Sequence, residues 1–188
     1  LLLLLVPIVA LGGISYSVST SVSDSLIHKN LSNSVRMAKE LIRSYADAAA
    51  AGEMTLAEAQ EKAKTLLLGP MADGHRPINR NIDLGTNGYF YILDDQGTLL
   101  AHPSLEGDNI WGEQSSDGVY FIQDVIHGAQ AGGAFTTYDW PLPGSDKEAM
   151  KIVYAELEPQ WNWVVSAGSY MQDYNGGQDR ILRAIGLT

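Results

Sequence analysis

Asn87-Gly88-Tyr89-Phe90-Tyr91-Ile92-Leu93-Asp94 is the stretch on which the reading of this 188-residue chain turns. A run this short, aromatic and β-branched, held between Gly88 and Asp94, suits a strand and is too brief for a helix. Alternation places Tyr89, Tyr91 and Leu93 on one face and Phe90 and Ile92 on the other. Asp94-Asp95-Gln96-Gly97 follows as a turn, and Thr98–His102 returns as a second strand that Pro103 ends. Three further strands are expected at Ala134–Trp140, Ala149–Leu157 and Trp161–Tyr170, with Pro143-Gly144-Ser145-Asp146 and Glu158-Pro159-Gln160 between them. Val119 to Ala129, after the breaker Asp117-Gly118, reads as a helix. The other connections are too short for crossovers, so the expected fold class is α+β, with one antiparallel sheet of about five strands.

Upstream the period changes from two to between three and four. Val18, Val22, Leu26/Ile27, Leu31, Val35, Ala38, Leu41/Ile42 and Tyr45 mark one apolar stripe, which predicts a long helix from Ser15 to Ala51. Gly52 stops it. Thr55-Leu56-Ala57-Glu58 is a capping-box signature and opens a second helix, Leu56 to Leu68, closed by Gly69-Pro70. Residues 1–14 contain only apolar residues, Gly and Pro, a run shorter than the roughly 20 residues a full span needs. Because it leads straight into the long helix, it is read as the end of a truncated transmembrane helix. At the other end, residues 176–188 carry Ile181, Leu182 and Ile185 at helical spacing beside Arg180 and Arg183. They are read as a juxtamembrane helix leading to a second span outside the chain. Residues 15–175 are then one extracytoplasmic domain on a cell membrane.

Composition narrows the function. With 12 Lys+Arg against 22 Asp+Glu the net charge is -10, which argues against a nucleic-acid surface, since phosphate contacts need clustered cations. The chain has no cysteine, which removes disulfides, thiolate metal sites and a cysteine nucleophile. His28, His75, His102 and His127 show no metal-ligand spacing. Asp94-Asp95-Gln96-Gly97 lacks the ligand alternation and closing Glu of a calcium loop. No nucleophile elbow, phosphate-cradling glycine loop or paired carboxylates are recognisable. No catalytic residue, metal or cofactor is therefore expected, and the chain is read as a non-enzyme.

The strand faces are more informative. Beside Tyr89 and Tyr91, the second strand contributes Leu100 and His102 to one face, and the third Thr136, Tyr138 and Trp140. In the fourth strand, Lys151 and Val153 oppose Ile152 and Tyr154. One face of the sheet is thus largely apolar, while the other gathers phenols, an indole, an imidazole and one ammonium. Such residues commonly serve packing alone, but their convergence suits a small polar ligand.

The order of these motifs resembles a single Cache domain. The first half of the resemblance lies in Asn87–Asp94, Gly97 and Ala101-His102-Pro103. The second lies in Gly133-Ala134-Phe135, Tyr138-Asp139-Trp140-Pro141, Lys151-Ile152-Val153-Tyr154, Trp161-Asn162-Trp163-Val164-Val165 and Ala167-Gly168-Ser169-Tyr170. It covers roughly residues 20 to 175. It implies a PAS-like antiparallel sheet packed on a long N-terminal helix. It also implies a sensor in a bacterial methyl-accepting chemotaxis receptor, or alternatively in a histidine kinase or cyclic-dinucleotide enzyme. Similar domains bind short carboxylates such as acetate, propionate and pyruvate, and the full receptor is expected to be a homodimer. On that basis Lys151 is expected to supply the positive charge, His102 a donor, and Tyr91 and Tyr138 hydroxyls. Trp140 is expected to close the apolar side. A ligand-free interaction module is the competing reading. The stretch from Gly74 to Thr86 is longer than the simplest members carry. Two roles stand open for it: covering the pocket, or altering ligand size.

Overall fold

A computed structural model describes residues 2–174, with side chains from Asp24 onward; residues 176–188, read above as a juxtamembrane helix, lie outside that range. Helix α1 runs from Leu2 to Ala50, taking in the N-terminal apolar run without a break. Among the described residues no helix is long and apolar enough to cross a membrane. Ile27, Leu31, Val35, Ala38 and Ile42 are buried along one face of α1. At its end Gly52 adopts φ +76°, the left-handed conformation that glycine takes without strain. Helix α2, Leu56–Leu67, starts at a complete capping box, Thr55 and Glu58 each satisfying the other's backbone N–H.

The five strands are β1 Tyr89–Leu93, β2 Leu99–Ala101, β3 Ala134–Pro141, β4 Glu148–Glu158 and β5 Trp163–Tyr170. They form one sheet in the order β2-β1-β5-β4-β3, and every neighbouring pair is antiparallel. Helix α3, Phe121–Gln130, carries the chain from the β2 edge to the β3 edge. The first and last strands therefore meet in the middle, and β5 is flanked on both sides. The architecture is the α+β, PAS-like arrangement expected.

Two boundaries and one register shift for local reasons. Helix α3 begins at Phe121 and not at Val119, because the Val119 carbonyl is tied back to the Ser115 N–H at 3.0 Å. Strand β5 begins at Trp163 because the Glu158 carboxylate accepts the Gln160 and Trp161 N–H groups. That turn is completed by Asn162 at φ +55°, a conformation Asn tolerates better than most residues. In the β1–β2 pair the register jumps from Ile92 opposite Ala101 to Leu93 opposite Leu99. The extra residue, Leu100, reverses the parity of the strand. Leu100 consequently packs with the α1-side core, and Leu99 joins the other side. The expectation that Leu100 and His102 share a face is corrected: Leu99, not Leu100, lines the cavity with His102.

The sheet separates two cores. Phe90, Ile92, Ile152, Val165 and Ala167 face α1 and α2. Tyr89, Tyr91, Leu93, Tyr138, Val153 and Tyr170 face the other way, where α3 covers them with Phe121, Ile122, Val125 and Ile126.

Candidate functional site

The second core buries a cluster of polar groups, His102, Lys151 and Ser166. Tyr91, His102, Tyr138, Trp140 and Lys151 all line one cavity, together with Leu99, Ile110, Phe121 and Ile122. β1, β3 and β4 each present one or two of the five, and His102 comes from the residue just after β2. The cavity is small, about 10 Å³ of space for the centre of a water-sized sphere, which is close to the minimum for one water.

Lys151 is 1% exposed. Its ammonium donates to the Tyr89 hydroxyl at 2.7 Å and lies 3.9 Å from the centroid of the Tyr89 ring and 5.0 Å from that of Tyr91. Among the described residues no carboxylate comes within ion-pair distance of it. Burial without a counter-charge holds its pKa well below the ordinary lysine value. The stem crosses β5 at Gly168 on its way to Tyr89: a Cβ there would stand 2.5 Å from Lys151 Cε. Gly168 is paired with both Tyr89 and Val153, so the strand interior leaves a gap for the lysine to cross.

His102 is held from below. Its Nδ1 accepts the Ser104 and Leu105 N–H groups, both at 3.1 Å. An imidazole whose Nδ1 accepts carries its proton on Nε2, so the ring offers an N–H donor on its other side. Burial first, and the neighbouring Lys151 second, bring its pKa down to about 3. The Tyr91 and Tyr138 hydroxyls lie 3.1 Å apart, and burial pushes the Tyr91 phenol up to about 12. Phe121 stacks on Tyr138, centroids 4.2 Å apart, and meets Trp140 edge-on. Ser166, opposite Tyr91 on β5, is fully buried and its hydroxyl has no hydrogen-bond partner among the described residues. The arrangement is a donor-rich pocket with aromatic walls and no carboxylate in its lining, able to receive a small group that accepts hydrogen bonds.

The single Cache domain 2 family model matches residues 23–184. The chain belongs to that family. Among the relatives of this Cache domain is the sensor histidine kinase MctS of Rhizobium johnstonii. It is 32% identical over 99 residues, which span 51% of this chain and 22% of the kinase. The methyl-accepting chemotaxis protein McpP of Pseudomonas putida is 25% identical over 143 residues, 74% of this chain and 26% of the receptor. The chain thus spans about a quarter of the length of these relatives. A Cache chemosensory domain solved for its recognition of carboxylic acids superposes with a TM-score of 0.65 at 25% identity, covering 81% of this chain and 97% of that one.

Several residues of the Cache pocket escape sequence reasoning. Gly168 carried a usable signal, since a glycine inside a strand marks a close approach. Tyr89 sat on the correct face, but nothing in the sequence shows that its hydroxyl meets Lys151. Phe121 and Ile122 were legible as an apolar helix face without a partner. The stretch from Gly74 to Thr86 does not line the cavity. Its Ile82 and Leu84 pack into the α1-side core, and its Ile78 packs against the α3-side core that holds the cavity.

Trp140 is the wall between the cavity and two outer clefts. One, about 220 Å³, is formed by Tyr89, the His102–Leu105 turn and the β3–β4 hairpin. The other, about 560 Å³, carries Asp108, Glu113, Asp139 and Glu148. A third cleft, about 260 Å³, outside β3 is lined by Ser115, Asp117, Asp124 and Asp139 with no Lys or Arg.

Proposed function

We propose that this Cache domain is the extracytoplasmic sensor of a bacterial transmembrane chemoreceptor and binds a short carboxylate such as acetate, propionate or pyruvate behind Trp140. The observation that carries this reading is Lys151, a fully buried amine whose neighbours are phenols and an imidazole and not an acid. A carboxylate entering the site restores the counter-charge that the fold itself does not supply. Charge-assisted hydrogen bonds of that kind contribute roughly 1.5–3 kcal/mol each. His102 Nε2 and the Tyr91 and Tyr138 hydroxyls are the further donors, and Trp140 and Phe121 limit the length of the acid. The named subject of the neighbouring solved domain, carboxylic acid recognition, points the same way.

Room for one water is too little for acetate, so binding requires α3, which carries Phe121 and Ile122, to move from the sheet. In the full receptor, read as a homodimer, that displacement passes through the sheet to α1 and thence toward the membrane. An effector shifts such an equilibrium only by binding one arrangement better than the other. A sensor histidine kinase is the alternative setting, favoured by the likeness to MctS. The near-filled cavity also favours a second reading, a ligand-free interaction module.

Titration calorimetry of the chain with two- to four-carbon acids separates these. Micromolar to millimolar binding of at least one acid is expected, lost or weakened at least tenfold in Lys151→Ala. Heat of dilution alone for every acid supports the interaction module, and unchanged affinity in Lys151→Ala rejects Lys151 as the cation.

A further inference from the structure

Away from the cavity, Arg76 has a partner for every one of its side-chain donors. It lies inward of the tight turn Ala72–His75, and its side chain is 1% exposed. Both its terminal nitrogens donate to Glu61 of α2, at 2.9 and 2.8 Å. Nε and one terminal nitrogen donate to Glu106, at 2.6 and 3.1 Å. The last N–H goes to the Gly69 carbonyl at 3.0 Å. All five guanidinium donors are thereby used, in the bidentate geometry that lysine does not reproduce.

What this clamp holds is the turn under His102. Glu106 also accepts the His102 N–H at 3.3 Å, and the Arg76 N–H donates to the Pro103 carbonyl at 3.0 Å. Lys64 of α2 approaches Glu106 at 3.6 Å. The segment from His102 to Glu106 is thus fixed to α2 from both its backbone and its acid. The same segment supplies the Ser104 and Leu105 N–H groups that cap His102 Nδ1.

We infer that Arg76 is a positioning residue of the ligand site: by clamping the His102–Glu106 turn to α2 it fixes the His102 tautomer that presents Nε2–H to a bound acid. Arg76 touches neither the cavity nor its occupant. Its effect on affinity passes through one imidazole and rests on the proposed carboxylate reading, whereas its effect on the tautomer does not. Burial works against the guanidinium charge, and the hydrogen bonds to Glu61 and Glu106 more than offset it. The Arg76 guanidinium therefore keeps its charge.

Two measurements on the 188-residue chain test this. Long-range proton–nitrogen correlation of the histidine rings, with His102 assigned through His102→Gln, reads the tautomer. Calorimetry with acetate, propionate and pyruvate reads affinity. In Arg76→Lys, folded by circular dichroism, His102 is expected to lose its uniform Nε2–H tautomer, and affinity to fall roughly tenfold, the value of one charge-assisted hydrogen bond. Glu61→Gln, at the half-exposed end of the clamp, is expected to move both readouts the same way by less, and it decides the matter if Arg76→Lys does not fold. Arg43→Ala, which breaks the exposed pair with Glu40, is expected to move neither. An unchanged His102 tautomer in the folded variants overturns the inference, as does a changed tautomer with unchanged affinity. A wild-type chain that binds no acid, yet loses its tautomer in Arg76→Lys, sinks the carboxylate reading and leaves the clamp's hold on His102 in place.

Discussion

On its α1 side the sheet presents Phe90, Ile92, Ile152, Val165 and Ala167, whereas the same strands turn Tyr89, Tyr91, Lys151, Ser166 and Tyr170 toward α3. Strand alternation alone assigns the two sets. The first face is sealed by a helix of 49 residues, and its buried hydroxyl on β5, Ser169, is satisfied by the Leu84 carbonyl at 2.6 Å. Glu156 on that side receives Arg36 and Lys39 of α1. The second face is covered by a helix of 10 residues and keeps an amine, an imidazole and several hydroxyls out of water. Both faces bury an apolar core, and on the proposed reading the second gives up some stability to hold a site.

The largest expected effect breaks the first face. Leu31→Ala, at a fully buried position, should cost about 3 kcal/mol in urea unfolding, the usual range for a buried leucine. A loss under 1 kcal/mol would show that α1 is not the main stabilising element.

Lys151→Met should act in the opposite direction. Exchanging a buried, unpaired amine for an apolar side chain of similar length should raise stability by about 2 kcal/mol, while abolishing acid binding. A destabilised variant would mean that the hydrogen bond to Tyr89 outweighs the desolvation of the amine.

The third effect is graded, a slope with pH. His102 titrates at about 3 in the folded chain and near 6.5 when unfolded. Between those values the unfolded chain binds the extra proton, so stability falls as pH drops through that window, by up to roughly 1.4 kcal/mol per pH unit. Above 6.5 the contribution of His102 is flat. His102→Gln should flatten the acid limb in denaturant titrations at several pH values, and an unchanged limb would place the acid sensitivity elsewhere.

Much of this contrast was legible in the sequence, because period-two patterns report faces directly. β1, β3 and β4 were assigned to the correct faces from alternation, and the five candidate residues converge on one cavity. Leu100 was misassigned because a bulge leaves no mark in an apolar triplet. Gly168 was read only as part of a motif, since its function depends on a lysine two strands from Tyr89. The Arg76 clamp was invisible, its partners lying 15 and 30 residues away in sequence. Ion pairs between loops and helices have no period to betray them.

The tight stacking of Phe121 on Tyr138 bears on timing. On the proposed reading, part of the contact energy of an acid goes into parting α3 from the sheet, so the net affinity is modest and release is fast. Short residence makes each occupancy a fresh sample of the surroundings. A cell that steers by comparing the present with a moment ago needs a detector that forgets, and a pocket that closes itself supplies one.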